Sequence, residues 1–333
     1  MTKARKLIIS ASVVATAIII TVLAMPTTAA DTFVMKFGTM APRGTVLAKA
    51  AQSFRSNLEK KSGGKIKVKI FGGGKAGSEK AMIKKLQQGN LQMASFTGIG
   101  LGQIVPMVRV LELPFFFKNS KQVDKVVAKL LPDFEKEFEK KGFIVAGWAE
   151  IGPVYLMSKK PIAKFKDMEG VKIWAPAGDQ LVKAMFKEYG LVPVYLSFES
   201  VLPQLQTGGL DAIYGPPVAA IGLQWYREVK FISDAELANA TGANLISKKA
   251  FDKMPPDLQK IVKETAAESA KNMVKAIRRD NTKGLAFLKK RLKVVKVNPA
   301  DLATLKKRAL AVQNKLVGKL YPKSILDKAK AAR

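Results

Sequence analysis

The stretch Gly170 to Asp179, GVKIWAPAGD, sets an apolar run (Val171, Ile173, Trp174) before Pro176, and Gly178-Asp179 lead from it into a helical pattern. A strand end beside a helix start is a common binding position in α/β proteins, so the first chemical question is what Trp174 faces. The sequence contains no His and no Cys, which removes imidazole and thiolate as ligands, bases or nucleophiles and leaves carboxylates, Lys and Tyr as titratable groups. Two carboxylates stand at element ends. Asp179 reads as a helix N-cap, whereas Glu150, after Trp148, suits either acceptance from a ligand hydroxyl or amine or a cross-domain hydrogen bond. Either acid could also ligate a hard cation without His. Arg109 and Glu112, at either end of RVLE, read as a structural pair.

The glycine-rich loops offer less. FGGGKAGSEKAM, Phe71 to Met82, lacks the Gly-Lys-Ser/Thr ending of a phosphate loop and reads as a turn, with Ser78 as N-cap and Glu79 in the first helical turn. TGIGLG, Thr97 to Gly102, is too loose for a dinucleotide fingerprint. No catalytic constellation emerges, which points to a binding protein rather than an enzyme, with no metal or other cofactor. Aromatic residues are concentrated instead: Trp148, Trp174 and Trp225 and five of the six Tyr lie between residues 148 and 226, and neither type occurs from 31 to 147.

The elements that must position these residues follow from periodicity. Alternating apolar residues predict strands at Phe33 to Phe37, Ile66 to Ile70, Leu91 to Phe96, Phe143 to Trp148, Val154 to Met157, Val171 to Trp174, Val192 to Tyr195, Asp211 to Tyr214 and Val294 to Val297. Helical spacing intervenes, as at Leu47, Ala51, Phe54 and Leu58, and such alternation argues for an α/β architecture with open sheets. From Pro256 a polar-apolar pattern runs nearly to Arg291, too long for one compact helix unless it bridges two domains.

Residues 1–30 read as an export signal: Lys3, Arg5 and Lys6 precede an apolar run from Leu7 to Met25, and Pro26 with Thr28-Ala29-Ala30 favours cleavage over retention as an anchor. The mature chain would start at Asp31 in the periplasm. Net charge is +31 overall. Its Lys residues are dispersed and no recognition module for nucleic acid appears, so the charge reads as a solvated basic surface.

Five motifs in order then carry a resemblance: LEKKSGGKIKVKIFGGGKAGSEKAMIKKLQQGNLQMA, RVLELPFFF, DMEGVKIWAP, YGLVPVYLSFESVLPQLQTGGLDAIYGPP and KFISDAE. Together the sequence resembles the periplasmic solute-binding subunits of tripartite ATP-independent periplasmic (TRAP) transporters, the DctP family. The resemblance implies a two-lobed periplasmic binding protein fold with a ligand cleft between lobes and a long domain-bridging helix. The first domain would be 31–153 plus 241–283, and the second 154–240 plus 284–333. It implies as partner a membrane permease of a small and a large subunit driven by an ion gradient, with the receptor itself a monomer. A role in presenting a ligand to a signalling receptor on the same fold is the alternative.

The family's carboxylate-binding Arg falls where this sequence has Trp174, its frequent Asn where it has Gly215, and a second Arg used by some members near Val154. With those anion contacts replaced, the resemblance points to an organic acid more apolar or aromatic than a C4-dicarboxylate. Trp174, Tyr155 and Tyr214 would form walls, Arg43 would hold an anionic end, and Gly215, Glu150 and Thr97 would complete the site.

Overall fold

The structure, a computed structural model, describes residues 32–333, so the expected export signal lies outside the described residues. The chain opens with β1 (Phe33–Gly38), α1 (Val46–Lys61), β2 (Ile66–Phe71), α2 (Glu79–Gln88), β3 (Met93–Thr97) and α3 (Gly98–Ile104). A 3₁₀ segment (Pro106–Glu112) leads to α4 (Ser120–Lys140) and β4 (Phe143–Ser158). Then come β5 (Trp174–Pro176), α5 (Gln180–Tyr189), β6 (Val194–Leu196), α6 (Phe198–Thr207), β7 (Ala212–Gly215) and α7 (Pro217–Gly222). The remainder is β8 (Phe231–Ser233), β9 (Ala238–Ser247), α8 (Lys248–Phe251), α9 (Pro256–Arg291), β10 (Lys293–Val295), α10 (Pro299–Lys315) and α11 (Lys323–Ala332).

Local chemistry accounts for many boundaries. Thr45 and Ser78 cap α1 and α2 by accepting from Ala48 N–H and Ala81 N–H, and Gly89 ends α2 in the left-handed region that Gly adopts most freely. In β1 the alternation buries Met35 and Phe37 against Phe54 and Leu58 of α1.

The sheet order is β10-β8-β4-β9-β3-β1-β2, with β7 also on β4, and β5–β6 form a separate parallel pair. The fold is mixed α/β and two-lobed. β4 is the shared strand: residues 143–154 pair with β9, then Tyr155 to Ser158 pair with β7 and the last two also with β8. Two strands were expected here, and one continuous strand is found. Register shifts at Val145/Gly147 and Glu150/Gly152 absorb the irregularity, and Gly152 at φ 125° supplies a conformation other residues rarely adopt. β9 escaped sequence reading because Asn239, Thr241, Gly242 and Asn244 break any apolar alternation; it is held between β3 and β4 on both edges. β5 is shifted toward Pro176 relative to the expected Val171 to Trp174.

The long pattern from Pro256 is a single helix of 36 residues. α9 packs on α1, on the shared strand β4 and on α7. Close approach depends on small residues: a Cβ on Gly147 would lie 2.8 Å from Ala270 Cβ. The C-terminal helices also serve both lobes, α10 against α5 and α11 against α4. Among the described residues no helix is long and apolar enough to cross a membrane.

Candidate functional site

A cavity of about 230 Å³ opens between the lobes. One wall comes from β5, β7 and the segments after them. Trp174 is buried at the centre of an aromatic cluster, its ring centroid 5.1 Å from Phe198, 5.4 Å from Trp225 and 5.5 Å from Tyr214. Its indole Nε1–H donates to Leu196 O at 3.1 Å, which fixes the ring and satisfies its only polar atom. The facing wall brings Thr97 from the end of β3, Arg109 and Glu112 from the 3₁₀ segment, and Thr241 from β9. Leu302 and Leu305 of α10 close one side.

The polar end of this cavity is built around Arg109, which is buried. Its Nη1 faces Glu112 Oε2, and Nη2 donates to Asp179 Oδ2 at 2.6 Å. Asp179 is also the N-cap of α5, with Oδ1 accepting from Leu181 N–H at 2.9 Å and Val182 N–H at 3.2 Å. Glu112 Oε1 accepts from Thr241 N–H at 2.6 Å. Room for its carboxylate depends on Gly98, because a Cβ there would come within 2.2 Å of Oε1. Arg109 and Asp179 therefore tie the lobes together across the cleft. Sequence reading found the Arg109–Glu112 pair but missed this third partner. The signal was a charged pair inside an apolar run, which burial obliges to be fully matched.

Behind Thr97 lies a third acid. Glu79 accepts from Thr97 N–H and from Thr97 Oγ1 at 2.9 Å. Burial pushes its carboxyl up to about 7, an effect only partly opposed by the Thr97 hydrogen bonds. Tyr214 lines the cavity with its hydroxyl buried and without a hydrogen-bond partner among the described residues. Burial first, and the Asp179 carboxylate second, hold this hydroxyl well above the ordinary tyrosine range.

Of the residues expected to form the site, Trp174, Tyr214, Gly215 and Thr97 meet on the cavity lining. At Gly215 a Cβ would meet only Trp225 Cζ3, at 3.8 Å, so sterics do not dictate glycine there. Three other expected residues lie off this lining. Tyr155 turns away because successive β4 side chains alternate: Val154 and Leu156 face the cavity, whereas Tyr155 packs with Met157 in the core of the second lobe. Arg43 is exposed in its turn and off the lining. Glu150 accepts from Arg278 Nε of α9 at 2.7 Å, the cross-element hydrogen bond that was its other reading, and lines a different cavity, between α4, β4 and α9. With Glu150 and Asp179 each engaged by an arginine, neither presents a free carboxylate to a cation, and among the described residues no three acid side chains gather.

A two-lobed α/β chain with a cleft crossed by β4 and spanned by α9 is matched over residues 37–319 by the sequence profile of the DctP bacterial extracellular solute-binding proteins, family 7. The chain belongs to that family. The 2,3-diketo-L-gulonate-binding periplasmic protein YiaO of Escherichia coli is 25% identical over 236 residues, covering 70% of this chain and 72% of YiaO. Among solved structures, the DctP-family sugar acid binding protein of Advenella mimigardefordensis, in complex with galactonate, superposes with a TM-score of 0.84 at 25% identity, covering 90% of this chain and 98% of that one. A TRAP periplasmic solute binding protein of Sulfurospirillum deleyianum with bound succinate also reaches 0.84, at 22% identity, covering 91% and 99%. DctP-family proteins of this kind are periplasmic receptors that bind small solutes for transport and work with membrane permease subunits.

Proposed function

We propose that this chain is the solute receptor of a TRAP-type permease: it captures a small organic solute more apolar than a C4-dicarboxylate by closing its lobes, and delivers it to small and large membrane subunits. The observation that carries the reading is the Trp174 cluster. Where the resemblance places a carboxylate-binding Arg, the cavity has an indole packed among Phe198, Tyr214 and Trp225. Support for organic acids or their close analogues comes from relatives whose partners are 2,3-diketo-L-gulonate, galactonate and succinate.

Binding to the folded state raises the melting temperature with ligand concentration. A thermal-shift screen of the chain from Asp31 onward is expected to respond to aromatic or branched solutes more than to succinate or malate, and Trp174→Ala to abolish the response. A strong shift with succinate that survives Trp174→Ala would overturn the reading.

A further inference from the structure

We propose that the polar end of the bound solute is uncharged and is held by Arg109 and Tyr214. The inference rests on the cleft being the solute site and concerns the chemical class of what enters it. Three buried donors at the polar end lack hydrogen-bond partners among the described residues: the Tyr214 hydroxyl, Arg109 Nε and Arg109 Nη1, the last of which faces Glu112 Oε2. Tyr214 keeps its proton, so it donates. Buried donors without acceptors are costly, and a solute oxygen seated between them would remove that cost.

The charge around these donors selects the kind of oxygen. One guanidinium already faces two carboxylates, Glu112 and Asp179, so the cluster carries a formal charge of −1 before any solute arrives. The other charged groups on the lining are Lys164 and Asp301, one of each sign. Counted with the cluster they leave a formal charge of −1, so the described lining offers an incoming anion no net positive charge. A third carboxylate would be repelled by two fixed ones within a few ångströms in a cavity walled by Trp174, Phe198, Val182 and Leu305, where screening is weak. A ketone, amide, hydroxyl or proton-bearing carboxyl meets the same donors without that repulsion. The solute class is thus an aromatic or branched aliphatic body with one uncharged acceptor.

Matched probes of the same shape test this. 4-Phenyl-2-butanone and 3-phenylpropanoate form one pair, and 5-methyl-2-hexanone and 4-methylpentanoate another. Each would be titrated at pH 7.5 into the chain from Asp31 onward, with Trp174 and Trp225 fluorescence as the readout. The ketone of at least one pair is expected to bind at least tenfold more tightly than its carboxylate. Asp179→Asn, which keeps the Oδ1 cap of α5, and Glu112→Gln, which keeps the acceptor for Thr241 N–H, should each narrow that ratio at least tenfold. A wild-type preference for the carboxylates, or a ratio unmoved in both variants, overturns the proposal and leaves the receptor reading intact. Silence from all four probes counts against the cleft as solute site and against the proposal together.

Discussion

Trp174 and Glu79 show at the scale of single residues how burial decides chemistry. Trp174→Ala removes an indole packed on three rings and is expected to cost about 3–5 kcal/mol in urea unfolding, enough to separate from a binding defect only if Trp174→Phe is measured beside it. Glu79 has a pH signature. Its value of about 7 in the folded chain exceeds the ordinary 4.5, so between these values the folded state binds more proton than the unfolded one. The contribution is complete below about 4.5 and disappears as pH rises through about 7, with an upper size of about 3 kcal/mol. Unfolding free energies measured at pH 5 and pH 8 should fall with rising pH, and Glu79→Gln should flatten that slope. Burial raises Glu135 and Glu236 in the same direction, so a residual slope is expected.

α9 matters at the scale of elements because it reaches both lobes, through small residues and the amide of Asn281. Asn281 of α9 donates from Nδ2 to Ile151 O at 2.7 Å and accepts at Oδ1 from Val218 N–H at 3.1 Å, stapling β4 and α7 to one point. Asn281→Leu leaves a part-buried carbonyl and N–H unmatched and is expected to destabilise by about 1–3 kcal/mol, seen as a lower urea midpoint at unchanged slope. Gly147→Ala pushes a methyl into Ala270 and should cost about 1–3 kcal/mol by the same measurement. Gly152 is more constrained: at φ 125° its added Cβ would also meet Asn281 Nδ2 at 2.2 Å, so the strand and the helix specify that glycine together.

The whole molecule is joined across its cleft by the Arg109–Asp179 ion pair, with Glu112 as the second carboxylate. Arg109→Met alone strands two buried acids and should cost about 3–5 kcal/mol, whereas the Arg109→Met/Asp179→Asn double variant should lose less than the sum of the two single changes. Small-angle scattering of the double variant is expected to show a larger radius of gyration than wild type, because the tie between the lobes is gone.

Periodicity alone determined the broad class. Apolar alternation marked β1, β2, β6 and β7, and the pattern from Pro256 marked a run too long for one compact helix unless it bridges two domains, because a strand face or helix stripe must be written locally to be buried. Other features belonged to tertiary structure. β9 has no apolar pattern of its own and is a strand because β3 and β4 flank it. Tyr155 and Val154 are neighbours in sequence, yet only the register of β4 decides which faces the cleft. Arg109 meets Asp179 from 70 positions away, and no local rule relates the two. Their pairing comes from the tertiary fold, which brings the 3₁₀ segment against the start of α5, and with it the charge presented there.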